Sequence, residues 1–448
     1  MKIKLIASVI CACFAMPVLA QSNITIYGIA DAGIQINSNG NGTNTKLVSG
    51  IADGSRIGFK GTEDMGAGYK AIFNLEGRVE LDTGSNKAGN ISDSQGFALT
   101  KGMTFPSFGS AALRGAAAQT LAGVRSALQP ALNVNATSAA VLAKGGGPDG
   151  GMFDRTAMVG LITPVGAVLA GRMYTPAYEI FAAADTFESG TAGGWGNITG
   201  GTGGLLTAGM AIRSNKALQY RIQLPNGIAG AVMYGFKNSG YVGLDKRFLA
   251  ANIKYNANGF DVGAGYNYGT NEDGKRGLVT ANIGGSYAVG DMKFFAGYQD
   301  MKNENSILLP VFNEAWDTTI LPSLAAGGVP APVLALWTSI FKTNVAKNFK
   351  LDAATYSLGM HYKIGSGRIM GSVSHQDDKT ASNSDVTQYA IGYDYNLSKR
   401  TDVYTVLGYI KNRNDGQYAL GAASASGGFT SAPGESGRAL QFGIRHKF

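Results

Sequence analysis

The chain has 448 residues, a formal net charge of +8, 65 glycines, 20 tyrosines and 20 phenylalanines, but only 12 prolines. Its basic residues are dispersed rather than gathered in runs, which argues against nucleic-acid binding. After residue 20 there is no apolar stretch of about 18 residues, so no membrane-spanning helix is available. Many glycines and aromatics with few prolines favour a sheet with numerous turns.

The N-terminal segment has the pattern of a secretory signal. Two lysines precede an apolar run over residues 5–15, and small residues close the segment. We predict a signal peptide over residues 1–20 and a mature chain over 21–448, whose formal charge is +6 because cleavage removes both lysines. Cys11 and Cys13 lie inside this leader. The mature chain is therefore expected to hold no disulfide and no thiolate metal site.

Alternation of apolar and polar residues with a period of two predicts sixteen strands. Successive side chains of a strand point to opposite faces, so one face can meet an apolar phase while the other meets water. The segment from Lys70 to Asp82 alternates most clearly, and at about a dozen residues it is longer than most soluble strands. The predicted strands run over residues 24–37, 56–60, 70–82, 155–163, 167–174, 216–224, 228–237, 248–256, 260–270, 278–288, 292–302, 353–364, 368–376, 386–397, 401–411 and 438–448.

The last strand, Arg438 to Phe448, ends the chain with one apolar and one polar face. Such an edge needs a partner, and pairing with the first strand would close the sheet into a barrel, the β-architecture that crosses membranes. Short turns rich in Gly, Pro, Asn and Ser alternate with long loops, as expected when one end faces a confined compartment. The sequence therefore predicts an all-β fold: a 16-stranded antiparallel transmembrane β-barrel with short periplasmic turns and long outer loops.

Two long outer-loop insertions interrupt the strand pattern, at about residues 87–152 and 302–350. In the first, the part from Ala111 to Lys144 has few β-branched residues and could form one or two short helices. The second contains an apolar run from Val329 to Trp337, which is unusual for an exposed loop. Two interpretations remain open: an insertion folded on itself over the barrel mouth, and a surface that contacts a neighbouring subunit or another partner.

Six segments between the first strand and the last residue carry the most characteristic motifs: Ile24–Gly33, Ser55–Asp64, Gly171–Pro176, Gln388–Tyr395, Leu397–Asp402 and Gly443–Phe448. Together they resemble the general diffusion porins of beta-proteobacterial outer membranes, of the neisserial and Burkholderiales type. The resemblance implies a location in the outer membrane of a Gram-negative bacterium and a homotrimer surrounded by outer-membrane lipid and lipopolysaccharide. It also implies a third outer loop folded into each pore as a constriction loop, which corresponds to about residues 175–211.

The same resemblance implies a pore constriction between basic wall residues and acidic loop residues. The wall arginines correspond to Arg56, Arg155 and Arg213, and the loop supplies Asp185 and Glu188. A guanidinium stays charged and offers a planar fork to carboxylate or phosphate, and acids opposite it create a transverse field. Further basic residues face the lumen by parity and are expected to line the pore at other heights: Lys60, Arg78, Arg172 and Arg221. The alternative for Arg155 and Arg213 is a lumenal salt bridge that only pins the loop to the wall. The alternative for Asp185 and Glu188 is a solvated face of the loop.

The expected function is passive diffusion of small hydrophilic solutes, with a preference for anions. No cofactor and no metal are expected, because the three histidines, His361, His375 and His446, share no ligand spacing. No serine marks a catalytic partner for His375, so an enzyme is not expected. Two alternatives remain: a substrate-preferring channel for organic acids, and a barrel anchor whose apolar outer loops bind a partner.

Overall fold

A computed structural model describes residues 23–40, 42–86, 103–132, 152–199, 211–237, 247–271, 273–306, 309–424 and 427–448. The predicted signal peptide lies outside these residues. Within them, one antiparallel sheet contains the strands β1 (Asn23–Ser38), β2 (Thr43–Ser49), β3 (Arg56–Gly66), β4 (Tyr69–Arg78), β5 (Thr156–Thr163), β6 (Gly166–Tyr174), β7 (Arg213–Gln223), β8 (Ile228–Gly235), β9 (Arg247–Ala257), β10 (Phe260–Thr270), β11 (Arg276–Val289), β12 (Met292–Asn303), β13 (Leu351–Ile364), β14 (Gly367–Asp378), β15 (Val386–Asn396), β16 (Thr401–Asn412) and β17 (Gly437–Lys447).

Pairing between the first and last strands closes the sheet. β1 pairs with β17 from Ile29 opposite Lys447 to Ser38 opposite Arg438. From β3 onward each strand pairs with the next one along the chain. β2 and β3 share one position, because β2 pairs with the second half of β1 and β3 with its first half. The wall therefore has sixteen positions, and the predicted 16-stranded antiparallel barrel is confirmed.

The strand β2 was not predicted, and the residues that follow it explain why β2 and β3 are separate strands. Residues Thr43–Lys46 are polar and exposed on both faces of the strand, so this segment shows no period of two. Residues 50–55 then fold into the lumen, where the Asp31 carboxylate accepts the backbone N–H groups of Ile51, Ala52 and Asp53 at 3.3, 3.0 and 2.7 Å. This inward fold separates β2 from β3.

The ends of β3 and β4 differ most from the prediction. β3 continues to Gly66, because the turn to β4 needs only Ala67 and Gly68, whose φ angles of 51° and 82° suit a tight hairpin. β4 ends at Arg78 rather than Asp82, since the N–H of Val79 bonds to Ser55 O, outside the β4 ladder.

Opposite faces of the wall have opposite chemistry, as the alternation predicted. The outer face is apolar, with Ile253, Ile283 and Leu358 about three-fifths exposed. This face carries exposed aromatic rings at two levels. The level near the short turns consists of Tyr220, Phe260, Tyr287, Phe294, Tyr362, Tyr393 and Tyr395. The level near the long loops consists of Tyr234, Tyr266, Tyr356, Tyr389 and Tyr409. Two aromatic levels flanking an apolar band are typical of outer-membrane barrels.

Helices occur only in the long connections of the described chain. They are α1 (Ala111–Leu132), α2 (Pro176–Ala184), a 3-10 turn (Trp195–Ile198), α3 (Leu309–Ala315), a π-helical turn (Trp316–Ile320), α4 (Leu321–Ala326) and α5 (Ala331–Asn348). None of the described helices is both long enough and apolar enough to span a bilayer. The helical prediction for the first insertion holds over Ala111–Leu132, and the remainder of that segment lies outside the described residues.

Helices from opposite walls of the barrel pack together over its mouth. The β4–β5 and β12–β13 connections start eight positions apart on the sixteen-position wall, yet they share one apolar core. Phe105 of the first stacks on Trp316 of the second, with ring centroids 5.9 Å apart, and Trp337 Nε1 donates to Pro106 O at 3.2 Å. Phe429, from the β16–β17 connection, is buried in the same core. We call this assembly of α1 and α3–α5 the cap.

Candidate pore constriction

The third long connection, here called loop 3, enters the lumen as helix α2. Thr175 caps this helix, since its hydroxyl oxygen accepts the N–H of Tyr178, and Pro176 occupies the first turn where its missing N–H costs nothing. The Thr175 hydroxyl also donates to Ala211 O at 2.6 Å, which joins the two ends of the loop. The prediction that a third loop folds into the pore is confirmed, while residues 200–210 of it lie outside the described chain.

Glycines on the lumenal wall provide the space in which α2 lies. A Cβ atom at Gly263 would come within 2.6 Å of Ile180, and at Gly284 within 3.0 Å of Ala184. Gly265 and Gly297 meet α2 and the 3-10 turn in the same way. Any larger residue would push the helix toward the pore axis. These glycines of β10, β11 and β12 therefore fix how far loop 3 intrudes.

Loop 3 is also bonded to the wall by side-chain amides. Asn252 Nδ2 donates to Pro176 O at 2.8 Å, and Asn282 Nδ2 donates to Ala177 O at 2.9 Å. Farther along, Gln388 Nε2 donates to Gly193 O at 2.9 Å. The described part of loop 3 thus contacts the lumenal side of the wall from β9 to β17.

Asp185 is buried inside loop 3 rather than presented to the lumen. Its side chain accepts the N–H of Phe187 at 2.8 Å, which turns the chain after α2. Burial raises the pKa of Asp185 to about 7, against the lowering effect of that hydrogen bond. This carboxyl is therefore only partly ionised at neutral pH.

Glu188 is directed at the β14–β17 wall. It forms ion pairs with Arg368 at 2.6 Å and with Arg445 at 3.9 Å. Burial raises the pKa of Glu188, but the hydrogen bond and charge of Arg368 outweigh it and hold the pKa at about 2. The carboxylate is thus ionised and pins the tip of loop 3 to the wall.

The strands on the other side, β3 to β7, carry a cluster of arginines. Three of these side chains have carboxylate partners: Arg56 with Asp53, Arg78 with Glu80 and Asp154, and Arg155 with Glu76. The Arg155 pair is tight, with Nε and Oε1 2.8 Å apart and both side chains about nine-tenths buried.

Arg172 and Arg213 differ from their neighbours. Arg213 lies 4.2 Å from the Tyr174 ring centroid and donates to its hydroxyl at 2.5 Å. Arg172 donates to the backbone oxygen of Asp154 at 2.6 Å and to the side chain of Asn215. In the part of the chain that the structure describes, neither guanidinium has a carboxylate within 4 Å. The cluster therefore carries more positive than negative charge.

The remaining predicted lining residues lie closer to the short turns. Arg221 of β7 pairs with Glu179 of α2 at 2.7 Å, and the Lys60 ammonium lies 5.1 Å from the Tyr27 ring centroid. The sequence analysis did not identify Glu76 or Asp53, the acids that pair with Arg155 and Arg56. Glu76 has the parity of Arg78 and could have been placed on the lumenal face, whereas nothing in the local sequence indicates that residues 50–55 bring Asp53 into the lumen.

The described residues contain no group of three or more His, Cys, Asp or Glu side chains that could hold a metal ion. What the site contains is a set of charged side chains between an inward-folded loop and a wall rich in arginine. A closed barrel with an apolar outer band and a loop folded into its lumen is the architecture of an outer-membrane diffusion channel.

Comparison with known proteins agrees with this class. The family model of the Gram-negative porins matches residues 7–415. Outer membrane porin protein 32 of Delftia acidovorans is 24% identical over 439 residues, covering 96% of this chain and 95% of that protein. An outer membrane porin protein of Bordetella pertussis is 24% identical over 489 residues and covers all of both chains. A solved structure, an anion-selective porin from Comamonas acidovorans, superposes with a TM-score of 0.62 at 21% identity, covering 96% of this chain and 100% of that one.

The chain belongs to the Gram-negative porin family. It is an outer-membrane porin, and the location and family that its motifs predicted are confirmed.

Proposed function

We propose that this porin is a passive, non-enzymatic pore that prefers small anionic solutes. The observation that carries the proposal is the unequal pairing of charge at the constriction. Arg172 and Arg213 lack carboxylate partners among the described residues, while Glu188 is bound to Arg368 and Asp185 is buried in loop 3. An anion on the β3–β7 side therefore meets guanidinium groups whose charge is not cancelled. The solved structure from Comamonas acidovorans has the same fold and is an anion-selective porin, which supports this assignment.

Each charge has a distinct part in this proposal. Arg213 and Arg172 supply the attraction, because an anion can replace the neutral acceptors that they now hold. Arg56 and Arg155 add positive potential that Asp53 and Glu76 partly offset. On the loop side, Asp185 shapes the turn and Glu188 anchors the tip. Of the predicted lining residues, Lys60 extends the basic surface, whereas Glu80 and Asp154 offset the charge of Arg78 and Glu179 offsets that of Arg221.

The pore is proposed to assemble as a homotrimer. From β7 to β16 the outer face presents exposed tyrosines, whose rings suit a lipid interface. In β1 to β6, by contrast, the exposed large apolar side chains of the described chain are aliphatic apart from Met65 and Tyr69. We assign this aromatic-poor arc to subunit contact and the remaining face to outer-membrane lipid and lipopolysaccharide. We also propose that residues 1–20 are a signal peptide and that both insertions are outer loops.

The cap favours a second candidate, a channel that selects among organic acids. Its aromatic core joins opposite walls, so solutes must pass beside it rather than through the centre of the mouth. Such a channel would show a conductance that falls when one organic acid is added, whereas a general pore would respond alike to acids of equal size and charge.

Liposome swelling tests the first proposal. Wild-type protein is reconstituted and exposed to a monocarboxylate and to a primary ammonium compound of equal size. We expect faster swelling with the carboxylate, and loss of that difference in the Arg172→Gln/Arg213→Gln double variant. Arg276→Gln is the matched control, because Arg276 is half exposed at the rim and pairs with Glu304. Equal rates in the wild type would refute the anion preference, and no swelling with folded barrels would refute the open pore.

A further inference from the structure

Tyr174, the last residue of β6, places its phenol oxygen between two arginine side chains of the constriction. We propose that this hydroxyl competes with passing anions, both oxyanions and halides. It occupies the position on the guanidinium groups that an anion takes, and so keeps anion binding weak enough for release. The inference rests on the proposed anion-preferring pore and adds the residue that sets how long an anion stays there.

The contacts of the Tyr174 hydroxyl are those of an anion-binding position that holds a neutral oxygen. Arg213 Nη2 donates to Tyr174 Oη at 2.5 Å, and Arg155 Nη2 donates to the same oxygen at 3.1 Å. A hydroxyl oxygen has two acceptor lone pairs, so the two cationic donors fill both of them. Guanidinium donors that converge on one oxygen are also how proteins bind carboxylates and phosphates. The phenol oxygen therefore marks where an atom of a bound anion would lie.

The two arginines differ in how firmly other residues hold them. Arg155 also pairs with Glu76 at 2.8 Å, so its position does not depend on Tyr174 alone. Arg213 lies opposite Tyr174 in the β6–β7 ladder, and its guanidinium lies 4.2 Å from the centroid of the Tyr174 ring. An incoming anion therefore gains Arg213 by displacing the phenol oxygen, while Arg155 stays beside it.

An aromatic stack fixes the Tyr174 ring in place. This ring stacks on that of Tyr178, with centroids 5.2 Å and planes 10° apart, and Tyr178 stacks on Phe181 at 6.0 Å. Phe181 in turn stacks on Trp195 at 4.5 Å, and both of these side chains are buried in loop 3. Because the ring is held from below, the hydroxyl stays in position when a guanidinium leaves it. It can accept that guanidinium again as soon as the anion moves on.

Exchange between two acceptors gives the hydroxyl its effect on conduction. A hydrogen bond from a guanidinium to an anion is stronger than one to a neutral hydroxyl, so an anion can displace the phenol oxygen. The lost hydrogen bond to Tyr174 subtracts from the net affinity for the anion. A channel conducts only if it binds a solute well enough to admit it and weakly enough to release it.

A neutral competitor differs in this respect from an acidic one. A carboxylate at the position of the Tyr174 hydroxyl would cancel the charge of Arg213, as Glu76 partly cancels that of Arg155. The phenol lowers the affinity for anions but leaves the positive potential in place. Tyr174 therefore limits how tightly anions bind without weakening the preference for them.

The Tyr174→Phe variant tests the inference, because it removes the hydroxyl and keeps the ring beside Arg213. Single-channel conductance is recorded at increasing concentrations of potassium chloride. We expect it to saturate at a chloride concentration about two- to tenfold lower than in the wild type, the factor that one net hydrogen bond represents. The maximal conductance should fall, because bound chloride leaves more slowly. The reversal potential under a salt gradient should still favour chloride.

Tyr178→Phe is the matched control, since it removes a hydroxyl from the next ring of the same stack. Among the described residues, the arginine hydrogen bonds of this stack go to Tyr174, so conductance in the control should saturate as in the wild type. Tyr174→Leu removes the ring as well and frees Arg213, so its reversal potential should move toward zero. Thermal unfolding followed by circular dichroism verifies that each variant is folded.

Three outcomes would contradict these expectations. Wild-type saturation in Tyr174→Phe, or a change equal to that in Tyr178→Phe, would overturn the inference while the proposed pore stands. A reversal potential that moves toward zero in Tyr174→Phe would also overturn it, because the hydroxyl would then orient Arg213 rather than compete with anions. A wild-type protein without anion preference would instead refute the proposed function on which the inference rests.

Discussion

At the scale of single residues, the arginines of β3 to β7 differ in what holds them. Arg155 is locked to Glu76 within a nearly dry contact, while Arg213 rests on the face and hydroxyl of Tyr174. A carboxylate cancels a positive charge, whereas an aromatic ring orients the guanidinium and leaves its charge in place. Parity in the sequence indicates that such residues face the lumen. Parity cannot indicate their partners. Asp53, the partner of Arg56, reaches the lumen because residues 50–55 fold inward, and no local pattern in the sequence predicts that fold.

Arg155→Gln and Arg213→Gln should therefore have different consequences. The first leaves Glu76 buried without its cation, which costs about 3–5 kcal/mol of stability and should lower the thermal midpoint of the barrel in detergent. The second should leave the midpoint nearly unchanged and reduce anion preference. Thermal unfolding followed by circular dichroism, with reversal potentials on the same preparations, measures both. Equal loss of stability in the two variants would contradict the distinction.

Asp185 makes the position of loop 3 sensitive to pH. Because burial raises its pKa to about 7, the neutral carboxyl is the form that the folded loop favours. The stabilisation is complete below the ordinary pKa of an aspartic acid and is lost as pH rises through about 7. We expect channel noise to increase between pH 5 and pH 8.5.

The Asp185→Asn variant is the control for that effect. An amide oxygen can still accept the N–H of Phe187 but does not titrate. Bilayer recordings of the variant should show noise that is low and constant over the same range. An unchanged pH dependence would assign the titration to another group.

At the scale of elements, glycines of the wall determine where loop 3 lies. Alternation predicts β10 to β12 correctly, yet it gives no reason for glycine at Gly263, Gly284 and Gly297. The reason is tertiary, since α2 and Trp195 occupy the space where side chains would stand. The alternation of apolar and polar residues therefore predicts the strand but not the helix that packs against it.

Gly284→Val should displace α2 toward the pore axis and lower the conductance. An added side chain at this position meets Ala184 and the neighbouring backbone. Gly230→Val on β8 is the matched control, because a Cβ there has only an ordinary contact at 3.4 Å. Single-channel recordings of both variants provide the measurement. A wild-type conductance in Gly284→Val would show that loop 3 is not seated as described.

The cap depends on its buried aromatic rings. Trp337 is fully buried against Phe105, so Trp337→Ala removes a large side chain from the core and should cost the cap about 3–5 kcal/mol. We expect limited proteolysis to cut within α5 while the barrel strands stay intact. Leu336→Ala is the control, since Leu336 is 41% exposed. Equal resistance in the two variants would mean that the cap does not need this core.

At the scale of the whole molecule, the sequence predicts the closure of the barrel but not every element outside its apolar band. Closure could be predicted because β1 and β17 each carry a continuous alternation, and their pairing leaves no edge. The strand β2 could not, since it projects beyond the apolar band and is exposed on both faces. An insertion folded over the mouth was one of the two interpretations left open by the sequence. The core that the two insertions share could not be predicted, because it joins residues such as Phe105 and Trp316 that are far apart in the chain and on the wall.

The most direct test of the account is the reversal potential of the wild-type protein in a planar bilayer under a potassium chloride gradient. Because Arg172 and Arg213 have no carboxylate partner among the described residues while Arg368 and Arg445 hold Glu188, the proposed basic passage predicts a current that reverses at a potential favouring chloride. A reversal at zero, or one that favours potassium, would contradict the proposed basic passage.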